Sequence, residues 1–244
     1  PGAAPKFFWI SKRLQSMKRL TTTAELLYQL AIDEADNRGR GHLGASGIGE
    51  KCARKLFYSF RWVSGQKFSG RILRLFRRGH LEETFITADL ANIPGVHVKT
   101  IDPVTGDQFR FFDPEFPGFA GSVDGIVFGL PELPDEWIGL EVKTHNDKNF
   151  KAIKKHGVKK AFPKHYAQTQ SYMFGLDLPA FLHLSVNKNT DEIYTELVHY
   201  SATDAEDIRA TARHVLESKR PPAKISKRAD WYECKPAFCS HSEI

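Results

Sequence analysis

The chain contains no apolar run approaching the roughly 20 residues needed to cross a membrane, and only 3 of its 244 residues are cysteine. Three cysteines cannot form a fully paired disulfide framework, so we expect a reducing compartment such as the cytoplasm. The sequence also lacks internal repeats and low-complexity tracts. Its 18 Phe and 4 Trp indicate a hydrophobic core, and its length suits one domain with small additions.

Acidic residues are missing from two segments. Residues 51–81 hold nine Lys or Arg and residues 148–164 hold seven Lys, with no Asp or Glu in either segment. The rest of the chain has 19 cations against 29 acids, a net charge of −10, although the whole chain carries +6. Two acid-free basic segments in an otherwise acidic protein indicate a surface for a polyanion such as DNA. Two solvated basic surfaces without a ligand are the alternative.

Hydrophobic periodicity predicts alternating helices and strands. Thr22 and Glu25 have the spacing of a capping box, which predicts the start of a helix, and Thr203 with Glu206 predicts another. Further helices are expected over residues 48–61, 68–90 and 165–174, and strands over 96–100, 108–112, 122–128, 137–144, 181–186 and 192–200. We expect the first two strands to form one hairpin and the last two another. The pattern predicts an α/β or α+β fold with a sheet covered on both sides.

Three charged residues on two predicted neighbouring strands carry the chemistry. Glu141 and Lys143 are two residues apart and therefore project from the same face of a strand. Asp124 lies on the preceding strand, from which its carboxylate could reach the same point. Two carboxylates beside a lysine suit Mg²⁺, with a lysine to orient an attacking water. A buried Glu141–Lys143 salt bridge without a metal is the alternative.

The order of these residues resembles the PD-(D/E)xK nuclease superfamily, and within it the lambda-exonuclease/YqaJ-type phage recombination nucleases and the RecB-type nuclease domains. Five motifs follow in that order along residues 46–172, about half the chain. They are Ser46-Gly-Ile-Gly with Arg54, Gly79-His80-Leu-Glu-Glu83, Asp124, Glu141 with Lys143, and Gln168-x-x-x-Tyr172. The resemblance implies a restriction-endonuclease-like core, a mixed central β-sheet flanked by helices.

The resemblance also implies roles for individual residues. Asp124, Glu141, the Val142 carbonyl and either Glu83 or His80 would hold two Mg²⁺ or Mn²⁺ ions, with Gln168 supporting the site. The motif residues Ser46, Arg54 and Tyr172 would contact DNA. The basic segments themselves suggest further phosphate contacts, by Arg71, Arg74 and Arg78 on a helix and by Lys154, Lys155 and Lys159 in a loop at residues 148–164. Gln168 and Tyr172 are four residues apart and therefore share one helix face. Instead of contacting the substrate, this polar face could simply pack on the sheet.

The cysteines resemble a second feature of some RecB-type nucleases, an iron–sulfur cluster that ties the first motif to the end of the chain. Cys52 adjoins the first motif, and Cys234 and Cys239 lie near residue 244. The family pattern has a fourth cysteine, which this sequence lacks, so the resemblance is incomplete. His241 could complete a Cys3His zinc site. Three ordinary thiols are the alternative.

These observations together predict a Mg²⁺-dependent exonuclease that hydrolyses DNA from its ends, of the 5′–3′ phage recombination and repair type, in the cytoplasm of a bacterial host. A RecB-like single-strand nuclease and a catalytically inactive DNA-binding protein are the alternatives. We expect an N-terminal helical extension over residues 1–45, the nuclease core over 46–220 and a tail over 221–244, which a metal could link to Cys52. DNA, a single-strand annealing protein and a second copy of the chain are the expected partners, and no membrane.

Overall fold

A computed structural model describes residues 22–35, 41–63, 68–228, 230–236 and 238–244. These residues fall into two compact units. The first contains residues 22–35 and 68–80, and the second contains the remaining described residues. The domain boundaries at residues 45 and 220 that the sequence predicts are not tested by this division into compact units, and they stay predictions. No helix among the described residues is long and apolar enough to span a membrane.

The described residues form seven α-helices and eight strands. The helices are α1 (Thr23–Asp33), α2 (Ala45–Ile48), α3 (Ala53–Phe60), α4 (Gly70–Ala91), α5 (Asp147–Ala161), α6 (Pro163–Leu176) and α7 (Ala202–Glu217). The strands are β1 (Leu43–Gly44), β2 (His97–Lys99), β3 (Arg110–Phe112), β4 (Phe119–Ser122), β5 (Gly125–Phe128), β6 (Ile138–His145), β7 (Ala180–Asn187) and β8 (Ile193–His199). A 3₁₀ turn covers Tyr232–Cys234. The predicted α/β class is confirmed.

The first unit contains α1 and the beginning of α4. The predicted capping box is present, because Thr22 Oγ1 accepts from the Glu25 amide and Glu25 accepts from the Thr22 amide. Gly70 allows the two helices to approach closely, since a Cβ at this position would lie 2.2 Å from the Tyr28 carbonyl oxygen. The start of α1 is thus fixed by the capping box, and the close approach of α1 and α4 by the contact at Gly70.

The second unit is built on two sheets. A five-stranded sheet has the order β2-β5-β6-β7-β8, in which only the β6–β7 pair is parallel, and a three-stranded sheet has the order β1-β4-β3. The predicted pairing of the strand after Asp124 with the Glu141 strand is confirmed, and so is the β7–β8 hairpin. The predicted mixed sheet with helices on its faces is therefore present.

Strand β6 separates two hydrophobic cores. Its Leu140 and Val142 face a cluster that includes Ile86 from α4. On the other side of the sheet, α6 and α7 pack over a second cluster that includes Phe181 and Tyr172. The residues that alternate with Leu140 and Val142 point to this second side. This alternation places Glu141, which is fully buried, beneath helices rather than in solvent.

Several predicted elements differ from the structure. The predicted hairpin of residues 96–100 and 108–112 is wrong, because β2 pairs with β5 and β3 pairs with β4 in separate sheets. A single bridge, Ile101 to Gln108, joins the two segments. The predicted strand 122–128 is two strands, β4 and β5. Of the predicted helix over residues 48–61, only α3 (Ala53–Phe60) is present; Ile48 ends the separate helix α2, and the chain leaves helical conformation between the two.

Two helix predictions also change. The predicted loop over residues 148–164 is largely helix α5, which is kinked at Gly157, where φ is 72°. Helix α7 is capped by Ser201, whose hydroxyl accepts from the Asp204 amide, and not by Thr203. In both cases the sequence pattern located the segment but not the start of its helix. The helix N-caps are Asn146 for α5 and Ser201 for α7.

Candidate active site

The predicted catalytic residues Asp124, Glu141 and Lys143 meet at the start of β5, where this strand pairs with β6. Asp124 immediately precedes β5, and Gly125 pairs with Leu140 on β6. The Val142 amide donates to Asp124 Oδ2 over 2.9 Å, which fixes this carboxylate against the strand that carries Glu141. Asp124 Oδ1 makes no further hydrogen bond within the described part of the chain. One oxygen positions the carboxylate and the other is available to a ligand.

Glu141 is completely buried and contacts Lys143. Its Oε1 lies against Lys143 Nζ, whereas neither Glu141 oxygen has any other hydrogen-bond partner among the described residues. Burial, together with the charges of Asp124 and Glu83, raises the pKa of Glu141 to about 8, although Lys143 acts to lower it. A cation bound beside this carboxyl group would stabilise its ionised form, which burial disfavours.

Lys143 is the cationic member of the cluster. Burial acts to lower its pKa, but the nearby charges of Glu141, Asp124 and Glu83 outweigh burial and hold the pKa above its usual range. The side chain is 25% exposed and its Nζ also donates to the Val142 carbonyl over 3.3 Å. Lys143 is therefore a permanent cation that reaches both the buried carboxyl and the exterior.

Of the two residues proposed as the third metal ligand, Glu83 is the one whose charge acts on the Glu141–Lys143 pair, although it belongs to helix α4 and not to the sheet. His80 is exposed and belongs to the first unit. The assignment of Glu83 as a metal ligand stays a prediction.

Gln168 and Tyr172 lie together on α6, as the spacing predicts. Gln168 Nε2 donates to the Tyr172 hydroxyl over 2.9 Å, and Tyr172 is 2% exposed between Phe111 and Phe181. The arrangement matches the packed polar face that was the alternative interpretation. A direct DNA contact by Tyr172 stays a prediction that would require this packing to open.

The predicted phosphate contacts lie in different environments. Arg54 Nε donates to the Pro222 carbonyl over 2.6 Å, so this guanidinium already holds the C-terminal segment. Lys154 and Lys159 contact Glu192 at 3.3 Å and Asp204 at 2.7 Å. Exposed positions are occupied by Ser46, Lys155, Arg71 and Arg78, whereas Arg74 is half-buried. Their DNA contacts stay predictions.

The cysteines converge on one cavity of about 220 Å³, whose lining includes Cys52, Cys234, Cys239 and His241. His241 Nε2 shares a hydrogen bond of 2.9 Å with Ser59. Their ligand atoms do not close on one point, because the described residues contain only one set of three potential ligands within 4.8 Å, and that set lies elsewhere. A structural metal at the cysteines stays a prediction.

That other set consists of His145, His165 and His183, which sequence reasoning missed. Burial, followed by the charge of Lys143, lowers the pKa of His145 to about 4 and of His165 to about 3. Burial also lowers the pKa of His183 well below its usual value. The sequence held one signal: His145 is two residues beyond Lys143 on the same face of the same strand.

Comparisons with solved structures show what fold this chain shares. An alkaline exonuclease from Laribacter hongkongensis, LHK-Exo, superposes with a TM-score of 0.52 at 17% identity, covering 79% of this chain and 90% of that one. This chain has an exonuclease-like fold. LHK-Exo in complex with dAMP gives 0.51 at 16% identity over 79% and 90%, and the protein SSO0001 gives 0.50 at 14% identity over 92% and 96%. No family model matches the chain, and neither does any curated protein sequence. The expected mixed α/β fold is thus shared with these solved structures.

Proposed function

We propose that this protein is a Mg²⁺-dependent exonuclease that hydrolyses DNA from its ends. The observation that carries the proposal is Glu141: a fully buried carboxyl group that contacts Lys143 and has no other described hydrogen-bond partner, in an exonuclease-like fold. A carboxyl group without hydrogen bonds is costly inside a protein, and a bound cation removes that cost. The dAMP complex of LHK-Exo supports a nucleotide-containing substrate.

The residues fit a hard divalent cation. Glu141 offers two oxygens and Asp124 offers Oδ1, and Glu83 and the Val142 carbonyl are the further candidates. Oxygen ligands of this kind are those that Mg²⁺ and Mn²⁺ prefer. When bound, the metal would offset the charge of the phosphodiester and lower the pKa of a coordinated water.

The chain's own residues orient the reaction. Asp124 is held by the Val142 amide, so its free oxygen points from a fixed position. Lys143 stays protonated and partly exposed, which suits it to orient the attacking water and to stabilise negative charge that develops on the phosphate. Gln168 supports the helix beside this sheet through Tyr172.

An end-dependence assay tests the proposal. End-labelled linear duplex and closed circular DNA are digested with and without Mg²⁺, and 5′-phosphate ends are compared with 5′-hydroxyl ends. We expect mononucleotides from the linear duplex only, and only with the metal. Lys219→Ala is the matched control for Lys143→Ala, because Lys219 is exposed and remote in sequence from the motifs. Cleavage of circular DNA at the same rate would show an endonuclease, and equal activity in EDTA would exclude the metal mechanism.

A single-strand preference is the second candidate function. The structural likeness does not discriminate between the two, so single-stranded substrate belongs in the same assay. If the protein binds DNA without cleaving it, labelled DNA should be retained and no product should form in any arm of the assay.

A further inference from the structure

Three histidines from separate segments meet beneath the helices that cover the five-stranded sheet. His145 ends β6, His183 lies on β7 opposite Glu141, and His165 reaches them from α6. Each offers one ring nitrogen within 4.8 Å of those of the other two. His183 is fully buried, His145 is 4% exposed and His165 is half-buried. The cluster therefore has a buried centre and one side that an ion could reach.

The unpaired polar atoms of the protein concentrate here. Within the described residues, every buried side-chain nitrogen or oxygen without a hydrogen-bond partner belongs to the Glu141 carboxyl, to one of the three histidines or to Ser185. Both ring nitrogens of His183 are among them. Buried polar groups are normally paired, so a set of unpaired groups at one place points to a ligand that completes them.

We propose that His145, His165 and His183 bind a divalent transition-metal ion, best fitted by Zn²⁺, at a site separate from the Mg²⁺ site at Glu141. Three imidazoles form a typical ligand set for zinc, whereas Mg²⁺ prefers oxygen. The site goes beyond the proposed nuclease activity and does not depend on it.

The geometry needs only a small adjustment. Zn–N bonds of about 2.0–2.1 Å place tetrahedral ligand atoms about 3.4 Å apart. Ring nitrogens separated by at most 4.8 Å reach that arrangement when each moves by about 0.8 Å or less, which small changes of side-chain torsion provide. Three protein ligands leave a fourth position for water. The unpaired Ser185 hydroxyl, which lies beside Lys143 on the same sheet face, could hold that water.

The surrounding charges permit a cation at this point. Lys143 is close enough to affect all three rings, but its charge is offset once the contacting Glu141 is ionised, which happens above its pKa of about 8 or when a metal binds there. The rings are neutral at physiological pH, and neutral imidazole is the form that binds metal. Stacking of His165 with Phe162, at 5.1 Å and 12°, holds that ring in place without using its nitrogens.

A metal here would join α6 to β6 and β7. The ligands lie 20 and 18 residues apart in the chain and come from three elements. Binding to the folded state alone adds stability. Because β6 carries Glu141 and Lys143, and α6 carries Gln168, the ion would also fix the supports of the proposed active site.

Cobalt substitution tests the site. The protein is prepared with Cys52, Cys234 and Cys239 changed to serine, so that thiolates contribute no metal binding. Metal analysis after zinc loading and desalting should give about one equivalent per chain. Co²⁺ titration should give visible absorption bands of a low-coordinate nitrogen site. In the same background, His165→Gln should lose at least tenfold in affinity, and Glu141→Gln should retain it.

His156→Gln is the matched control, because His156 is exposed on α5 and should leave binding unchanged. Zinc should raise the melting temperature of the parent and of the control but not of His165→Gln. Equal Co²⁺ spectra and affinities for the parent and His165→Gln would overturn the proposal. If a histidine variant misfolds, ring-nitrogen chemical shifts of the parent decide: zinc must move those of His145, His165 and His183, and unchanged shifts would refute the site. None of these readouts requires nuclease activity.

Discussion

Replacing Glu141 with glutamine tests whether the metal-free site holds a neutral carboxyl group. Burial raises the pKa of Glu141 from 4.5 to about 8, so at pH 7 the folded protein carries a proton that the unfolded chain has released. Glutamine has nearly the shape of a protonated glutamic acid. We therefore expect Glu141→Gln to be about as stable as the wild type near pH 5 and more stable near pH 8, both in EDTA.

The sign and magnitude follow from proton linkage. Between pH 4.5 and about 8 the folded state binds one more proton at Glu141 than the unfolded state does. The free energy of unfolding of the wild type therefore falls as pH rises, by about 1.4 kcal/mol per pH unit. Over two pH units inside this window, the wild type should lose roughly 3 kcal/mol relative to Glu141→Gln. Other titrating groups cancel in the difference.

Urea denaturation at pH 5.5, 6.5 and 7.5 measures that difference, with Glu217→Gln as the control because Glu217 is exposed at the end of α7. Added Mn²⁺ should reverse the order, because the metal binds the ionised wild-type carboxylate and stabilises the folded state. Its affinity should rise with pH up to about 8 as the proton leaves Glu141. Parallel stability profiles for wild type and Glu141→Gln would refute the reasoning, since they would mean that Lys143 keeps the carboxylate ionised.

Three further variants probe catalysis and packing. Lys143→Ala should abolish Mg²⁺-dependent cleavage but change DNA affinity in a gel-shift assay by no more than a few-fold, because the binding charges lie elsewhere; wild-type turnover would remove Lys143 from the mechanism. Gly139→Ala should lower the free energy of unfolding by about 1–3 kcal/mol, because its Cβ would lie 1.9 Å from a Phe181 ring carbon, and unchanged urea denaturation would contradict that packing. Arg209→Met should cost about 3–5 kcal/mol, because it strips the fully buried Asp113 of a guanidinium 2.7 Å away; a smaller loss in Asp113→Asn/Arg209→Met than in Arg209→Met alone would identify the uncompensated charge as the cause.

The core of the candidate site could be predicted because its geometry is local. Two residues two apart on a strand must share a face, so Glu141 and Lys143 lie together whatever the rest of the fold does. The pairing of β5 with β6 joins strands that follow each other in the chain, and it brought Asp124 to the same point. The resemblance supplied the order of the motifs, and the likeness to LHK-Exo concerns the fold alone.

Features that depend on distant segments were predicted poorly. The basic segment 148–164 contains no acid, yet Lys154 pairs with Glu192, just before β8, and Lys159 pairs with Asp204 on α7. A charge count along the chain cannot include partners that the fold supplies, so the segment is less positive in space than in sequence. The false hairpin of β2 and β3 has the same origin, since each strand found a better partner further along the chain.

The histidine cluster shows the limit most clearly. His145, His165 and His183 are unremarkable one by one, and only the parallel pairing of β6 with β7 and the placement of α6 bring them together. That sheet face and His165, which reaches it from α6, carry every buried polar side-chain atom without a partner in the described part of the chain, those of Glu141 included. Elsewhere in the described residues, buried polar groups are paired, as Asp113 is with Arg209. Buried polar groups that stay unpaired at one place therefore point to a ligand there. The unpaired face therefore argues for ligands at two neighbouring points, oxygen-bound metal at Glu141 and nitrogen-bound metal at the histidines.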